Sequence, residues 1–126
     1  MAKRTKIWKR QPEERDFSAA HSYLTLLCKP ARAKLVVERL RRFALVEHQA
    51  KDLLRASGLP LLPRDEPHVE DDLKRIRKGK TLSPVLLVQG DIARGLPLVI
   101  ADGYHRICAV YYHDESAPIA CRIAPV

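Results

Sequence analysis

The chain has 126 residues, of which 46% are hydrophobic and 30% charged, and a formal net charge of +8 at pH 7. That length excludes two large domains, since single-core units run about 100–200 residues, and the balance is too apolar for a wholly disordered chain. The longest apolar runs, Pro84 to Val88 and Leu96 to Ala101, fall far short of the roughly 18–20 residues that cross a bilayer, so no membrane partner is expected.

The basic start, Met1 to Lys6, leads into Trp8-Lys9-Arg10-Gln11-Pro12 without an apolar segment, so no secretory signal is read and a cytoplasmic location is the expectation. Cys28, Cys108 and Cys121 form no CxxC pair and have no histidine at zinc-ligand spacing. Neither a disulfide framework nor a metal site is read from them, and they are expected to be reduced and mostly buried.

The charge is unevenly placed. Residues 1–15 carry six Lys/Arg against two Glu, residues 16–63 eight basic against four acidic, and residues 64–126 nine of each. A basic half that is mainly helical reads first as a solvated surface, and second as a contact for nucleic acid, whose phosphates clustered Lys/Arg neutralise.

Residues 1–15 lack periodicity and read as a flexible basic arm, with Trp8 able to dock on the body. A first helix is expected to begin near Asp16 or Ser18, both good N-caps, and to run until Pro30 interrupts it. Val36, Leu40, Phe43, Val46, Ala50 and Leu53 recur at spacings of three and four. They predict one helix of roughly 25 residues, or two with a kink, ended by Gly58. Such a long apolar stripe also makes a homodimer credible. Leu59 to Pro63 reads as an extended connector, and Asp65 as the N-cap of a short helix with Pro67 early in it and Gly79 as its stop. Ser83 to Gln89 and Leu96 to Ala101 are β-type runs whose glycine-bearing linker predicts an antiparallel hairpin. A helix from His105 to His113 and a strand from Ala117 to Ile123 complete the order. The fold expected is α+β: a basic arm (1–15) and a helical segment (16–58) packed on a small mixed sheet with helices (59–126).

The chemistry is concentrated in Ile100-Ala101-Asp102-Gly103-Tyr104-His105-Arg106. A strand that turns through glycine into a helix exposes unsatisfied N–H groups and a partial positive charge, which together form an anion site. His105 and Arg106 add side-chain donors in the first turn, arginine being suited to gripping a phosphate oxygen pair. The competing reading is a plain turn in which Asp102 caps the helix. His21, His48 and His68 read as isolated histidines on helices, and His105 and His113 would share a metal only with help from elsewhere, so no metal ligand is assigned. Asp71-Asp72 and Asp114-Glu115 read as solvated helix ends. Lys80, ahead of the first strand of the hairpin, is a further candidate phosphate contact.

From about Pro63 to Ile123, the stretches Glu66-Pro67-His68-Val69, Leu82 to Val88, Val99 to Ala109 and Ala117 to Ile123 resemble the ParB/sulfiredoxin-like superfamily. Its glycine turn is written Gly-Glu-Arg-Arg-x-x-Ala in ParB and Gly-Cys-His-Arg-x-x-Ala in sulfiredoxin. Here it reads Gly103-Tyr104-His105-Arg106-Ile107-Cys108-Ala109. The resemblance implies a nucleotide (ATP, ADP or CTP), with or without Mg²⁺, or another phosphorylated small molecule, bound through Gly103, Tyr104, His105 and Arg106 in a regulatory or interaction role. Tyr104 replaces the cysteine nucleophile of sulfiredoxin, and a phenol does not replace a thiolate, so sulfinic acid reduction is not expected. The chain also ends within a few residues of the last strand, where ParB proteins continue into a helix-turn-helix domain, so a DNA-associated, partition-like role is only an alternative. The free-serine kinases of the superfamily carry a similar Asp-Gly-x-x-Arg turn. By that resemblance a small ATPase or phosphotransferase is the other alternative, with Asp102 or Glu66 positioning a hydroxyl or Mg²⁺ and Asp102 and His105 as candidate catalytic groups.

Overall fold

The structure, a computed structural model, describes residues 7–125. Strands β1 (Val46–Gln49), β2 (Val85–Val88), β3 (Val99–Asp102) and β4 (Pro118–Ala124) form a mixed sheet in the order β1-β4-β2-β3. Helices α1 (Glu14–Leu24), α2 (Pro30–Arg42), α3 (Ala50–Ser57), α4 (Pro67–Arg77) and α5 (Tyr104–His113) cover it. The protein is α+β, as expected. None of the helices among the described residues is long and apolar enough to cross a membrane.

The unbroken Val-Leu-Leu-Val run of β2 has a direct cause. Side chains alternate across a strand, so an apolar run without alternation needs cover on both faces. Val85 and Leu87 enter one core with Leu53, Val69, Leu73 and Ile107, contributed by α3, α4 and α5. Leu86 and Val88 enter another with Phe17, Ala20, Val36 and Leu40 from α1 and α2. The hairpin is antiparallel, with Leu87 opposite Ile100 and Val88 opposite Val99, and β4 lies parallel to β2. Gly58 ends α3 at φ 69°, in the left-handed conformation that its position requires.

The helix predicted through Val36, Leu40, Phe43, Val46, Ala50 and Leu53 is instead two helices separated by a strand. The backbone turns extended at Phe43, and Val46 to Gln49 pair antiparallel with Cys121 to Pro118. The apolar spacing carries on through β1 by coincidence. Val36 and Leu40 face one core, Ala50 and Leu53 the other, while Phe43 and Val46 are exposed. The continuous stripe behind the expectation of a dimer does not exist, and His48 lies on a strand rather than a helix.

Residues 8–15, expected to belong to a flexible arm, are instead held against the body or enter the first helix. Trp8 forms a parallel bridge with Leu82, the Lys9 N–H donates to the Leu82 carbonyl at 2.8 Å, and the Trp8 indole donates to the Pro118 carbonyl at 3.0 Å. Residues 1–6 lie outside the described residues. The first helix begins at Glu14, so Asp16 is not its N-cap but sits in its first turn, accepting a hydrogen bond from the Glu13 N–H at 2.8 Å. Similarly, the cap of α4 is Glu66 rather than Asp65, because Glu66 reaches the Val69 N–H at 3.0 Å. Pro67, whose missing N–H costs nothing at that point, follows as the first helical residue.

Candidate functional site

Where β3 ends, Gly103 takes φ 108° and the chain turns directly into α5. The first helical bond runs from the Ile107 N–H to the Gly103 carbonyl at 3.0 Å, so the N–H groups of Tyr104, His105 and Arg106 have no helical acceptor. No side chain caps this terminus. The competing reading of Asp102 as the cap is therefore corrected: its carboxylate turns instead to Arg106. A cleft of about 310 Å³ opens at the turn, lined by His68, Asp71, Asp72, Asp102, Gly103, His105 and Arg106. It lies between α4 and the start of α5, two helices packed closely together.

Arg106 is not the free phosphate grip that the sequence suggests. Its Nη1 donates to Asp16 at 3.1 Å and its Nη2 to Asp102 at 2.7 Å, with only 15% of the side chain exposed. The pairing ties α1 to the start of α5, across 90 residues of sequence, and through Asp102 to the end of β3. Burial works against ionised Asp16, but the Glu13 N–H and the Arg106 guanidinium outweigh it and hold its carboxyl below the usual range. Burial pushes Asp102 up to about 6 despite Arg106. One guanidinium thus serves two carboxyl groups, and the second holds its proton more tightly.

A carboxyl whose folded pKa lies above the unfolded value of about 3.9 contributes stability below that pH and loses it as pH rises through the folded value. Asp102→Asn cannot ionise, so the variant should gain stability relative to the wild type as pH rises from about 4 to about 7. Urea unfolding across that range checks this. A difference between the two proteins that stays constant with pH would rule out a raised Asp102.

A second cluster lies at the mouth of the cleft. Glu66 meets His68 Nδ1 at 2.9 Å and His105 Nε2 at 3.6 Å, and the two imidazole rings are 4.7 Å apart between centroids. Some burial opposes ionised Glu66, but the His68 side chain, the Val69 and His68 N–H groups and nearby His105 lower its pKa to about 2. His68 is held protonated to higher pH by Glu66. The reading of His68 as isolated is therefore corrected. So is that of Asp71 and Asp72 as a helix end, because both stand within α4, and burial raises the pKa of Asp72. The sequence holds one signal for the cluster: His68 and His105 each fall within the first turn of a helix.

The remaining candidates lie elsewhere. Tyr104 is outside the cleft lining and its hydroxyl donates to the Pro60 carbonyl, while Tyr112 donates to the Leu62 carbonyl at 2.6 Å. Both tyrosines strap the 59–63 connector to α5. Lys80 is exposed and does not line the cleft. Cys108 and Cys121 are buried thiols, their pKa values raised by burial, for Cys121 to about 12, as suits structural cysteines.

Comparison with protein-family models, with curated proteins and with solved structures finds no match. What fold and site define is a class: an α+β protein with helices on both faces of a mixed sheet and a polar cleft where β3 turns into α5.

Proposed function

We propose that this cleft binds a phosphate-bearing ligand of the nucleotide class together with a divalent cation. The observation that carries the reading is the uncapped N-terminus of α5 opening on the cleft: three N–H groups without helical partners, two of them on His105 and Arg106, which line the cleft. His105, with 45% of its side chain exposed, and His68 are the side-chain donors at hand. Arg106 positions the turn rather than gripping the ligand.

The cation follows from charge. Asp71, Asp72 and Asp102 line the same cleft, and a bare anion would meet their repulsion. A phosphate that arrives with Mg²⁺ turns those carboxylates from a penalty into ligands, since Mg²⁺ is bound through one or two carboxylates plus substrate phosphates. The same carboxylates favour phosphoryl transfer as the second reading, because that chemistry needs positioning and charge stabilisation more than protein nucleophiles.

The test is thermal stabilisation by ATP, ADP, CTP and inorganic phosphate, with Mg²⁺ or with EDTA. Ligand held by the folded state adds RT ln(1 + [L]/Kd) to stability. One nucleotide with Mg²⁺ should raise Tm, and His105→Ala should weaken that ligand by about tenfold, the equivalent of ~1.4 kcal/mol. If neither phosphate nor any nucleotide raises Tm under either condition, the reading is wrong. If one does, release of phosphate or a phosphorylated second substrate separates turnover from binding.

A further inference from the structure

We infer that Glu66, His68 and His105 form a site for a transition-metal dication of the Zn²⁺ type, binding without any nucleotide. The three side chains offer one carboxylate oxygen and two imidazole nitrogens, all within 4.8 Å of one another. Zinc bonds to histidine nitrogen and carboxylate oxygen are about 2.0–2.2 Å long, which sets donors at a tetrahedral angle ~3.3–3.6 Å apart. Glu66 Oε1 lies 2.9 Å from His68 Nδ1 and Glu66 Oε2 lies 3.6 Å from His105 Nε2, and one atom from each residue falls within 4.8 Å of the others, so side-chain rotations that draw the three donors together by about an ångström bring them onto one ion.

The donors sit on firm supports. Glu66 and His68 flank Pro67 at the start of α4, and Glu66 is held by the Val69 N–H at 3.0 Å. His105 stands in the first turn of α5, which packs directly on α4. Two imidazoles and a carboxylate are the donor set of metal sites that keep open positions, whereas hard cations such as Mg²⁺ prefer oxygen alone. Both helix N-termini present positive ends, which disfavour a cation. The Glu66 carboxylate offsets this at the site, and Asp71 and Asp72 add negative charge along the cleft. With 73% of the His68 side chain and 45% of the His105 side chain exposed, the free coordination positions face solvent and the cleft, open to water or to an anionic ligand atom.

The experiment is calorimetric titration of reduced, EDTA-treated and desalted protein with ZnCl₂ alone, repeated on His68→Ala, His105→Ala and Cys28→Ser. The expected result is one Zn²⁺ per chain, with affinity falling at least ~100-fold in each histidine variant, beyond the 10–100-fold typical of residues that only orient ligands. Cys28→Ser, which removes the partly exposed thiol, should bind as the wild type does. His68 is exposed and His105 partly so, and circular dichroism should show both variants folded. No binding to wild type, or equal binding to wild type and both histidine variants, overturns the site. Nucleotide binding with Mg²⁺ is scored separately, so either proposal can fail while the other stands.

Discussion

Arg106→Met is expected to cost about 3–5 kcal/mol, because it leaves the Asp16 and Asp102 carboxyl groups, both largely buried, without their cation. Total stabilities of about 5–15 kcal/mol make that a large share, and the variant should unfold at a much lower urea concentration. The reason is desolvation rather than the worth of the ion pair. Breaking a buried pair from one side is costly, whereas replacing all the charged members together is often close to neutral. Asp16→Asn and Asp102→Asn added to Arg106→Met should therefore restore much of the lost stability. An arginine reserved for a ligand would behave otherwise: its replacement would leave the urea midpoint nearly unchanged.

Gly103→Ala is the second large effect. A Cβ there would sit 2.4 Å from Val85 Cγ1 and 2.8 Å from both Val85 Cβ and Arg106 Nη2, so the buried β2 strand or the Arg106 clamp must shift. The φ of 108° adds strain, since left-handed backbone costs a residue with a Cβ about 1–2 kcal/mol, and overpacking a core costs about 1–3 kcal/mol more. A loss of about 3–5 kcal/mol is expected in urea unfolding. Gly58→Ala separates the two causes. Gly58 also has positive φ, at 69°, but a Cβ there meets nothing within 4 Å, so only the strain of about 1 kcal/mol should appear. Equal losses at the two positions would mean that the contact with Val85 is unimportant.

These two residues show which parts of the site sequence reading can reach. The Asp-Gly turn, the hairpin before it and the helix after it are written in local chemistry: glycine for the left-handed backbone, apolar runs for buried strands, proline and glycine at the ends of α4. The role of Arg106 is only half local. Its pairing with Asp102 spans four residues, but Asp16 reaches it from 90 residues away, through the packing of α1 on the sheet. Strand β1 was illegible for a similar reason. Val46-Glu47-His48-Gln49 has exposed side chains on an edge strand, and its β conformation comes from pairing with β4. With its apolar spacing continuous with the flanking helices, nothing local marks it as a strand. His68 and His105 meet because α4 packs on α5, which neither helix encodes alone.

The measurement that bears most directly on the proposed function is a two-dimensional ¹H–¹⁵N spectrum of the labelled protein, titrated with ATP, ADP or CTP in the presence of Mg²⁺. One nucleotide is expected to move the amide resonances of His105 and Arg106 most, with His68 and Asp72 following, because the N–H groups at the start of α5 that open on the cleft take the phosphate. Undisturbed α5 amides throughout, or shifts gathered instead on the basic surface of α2, would contradict it.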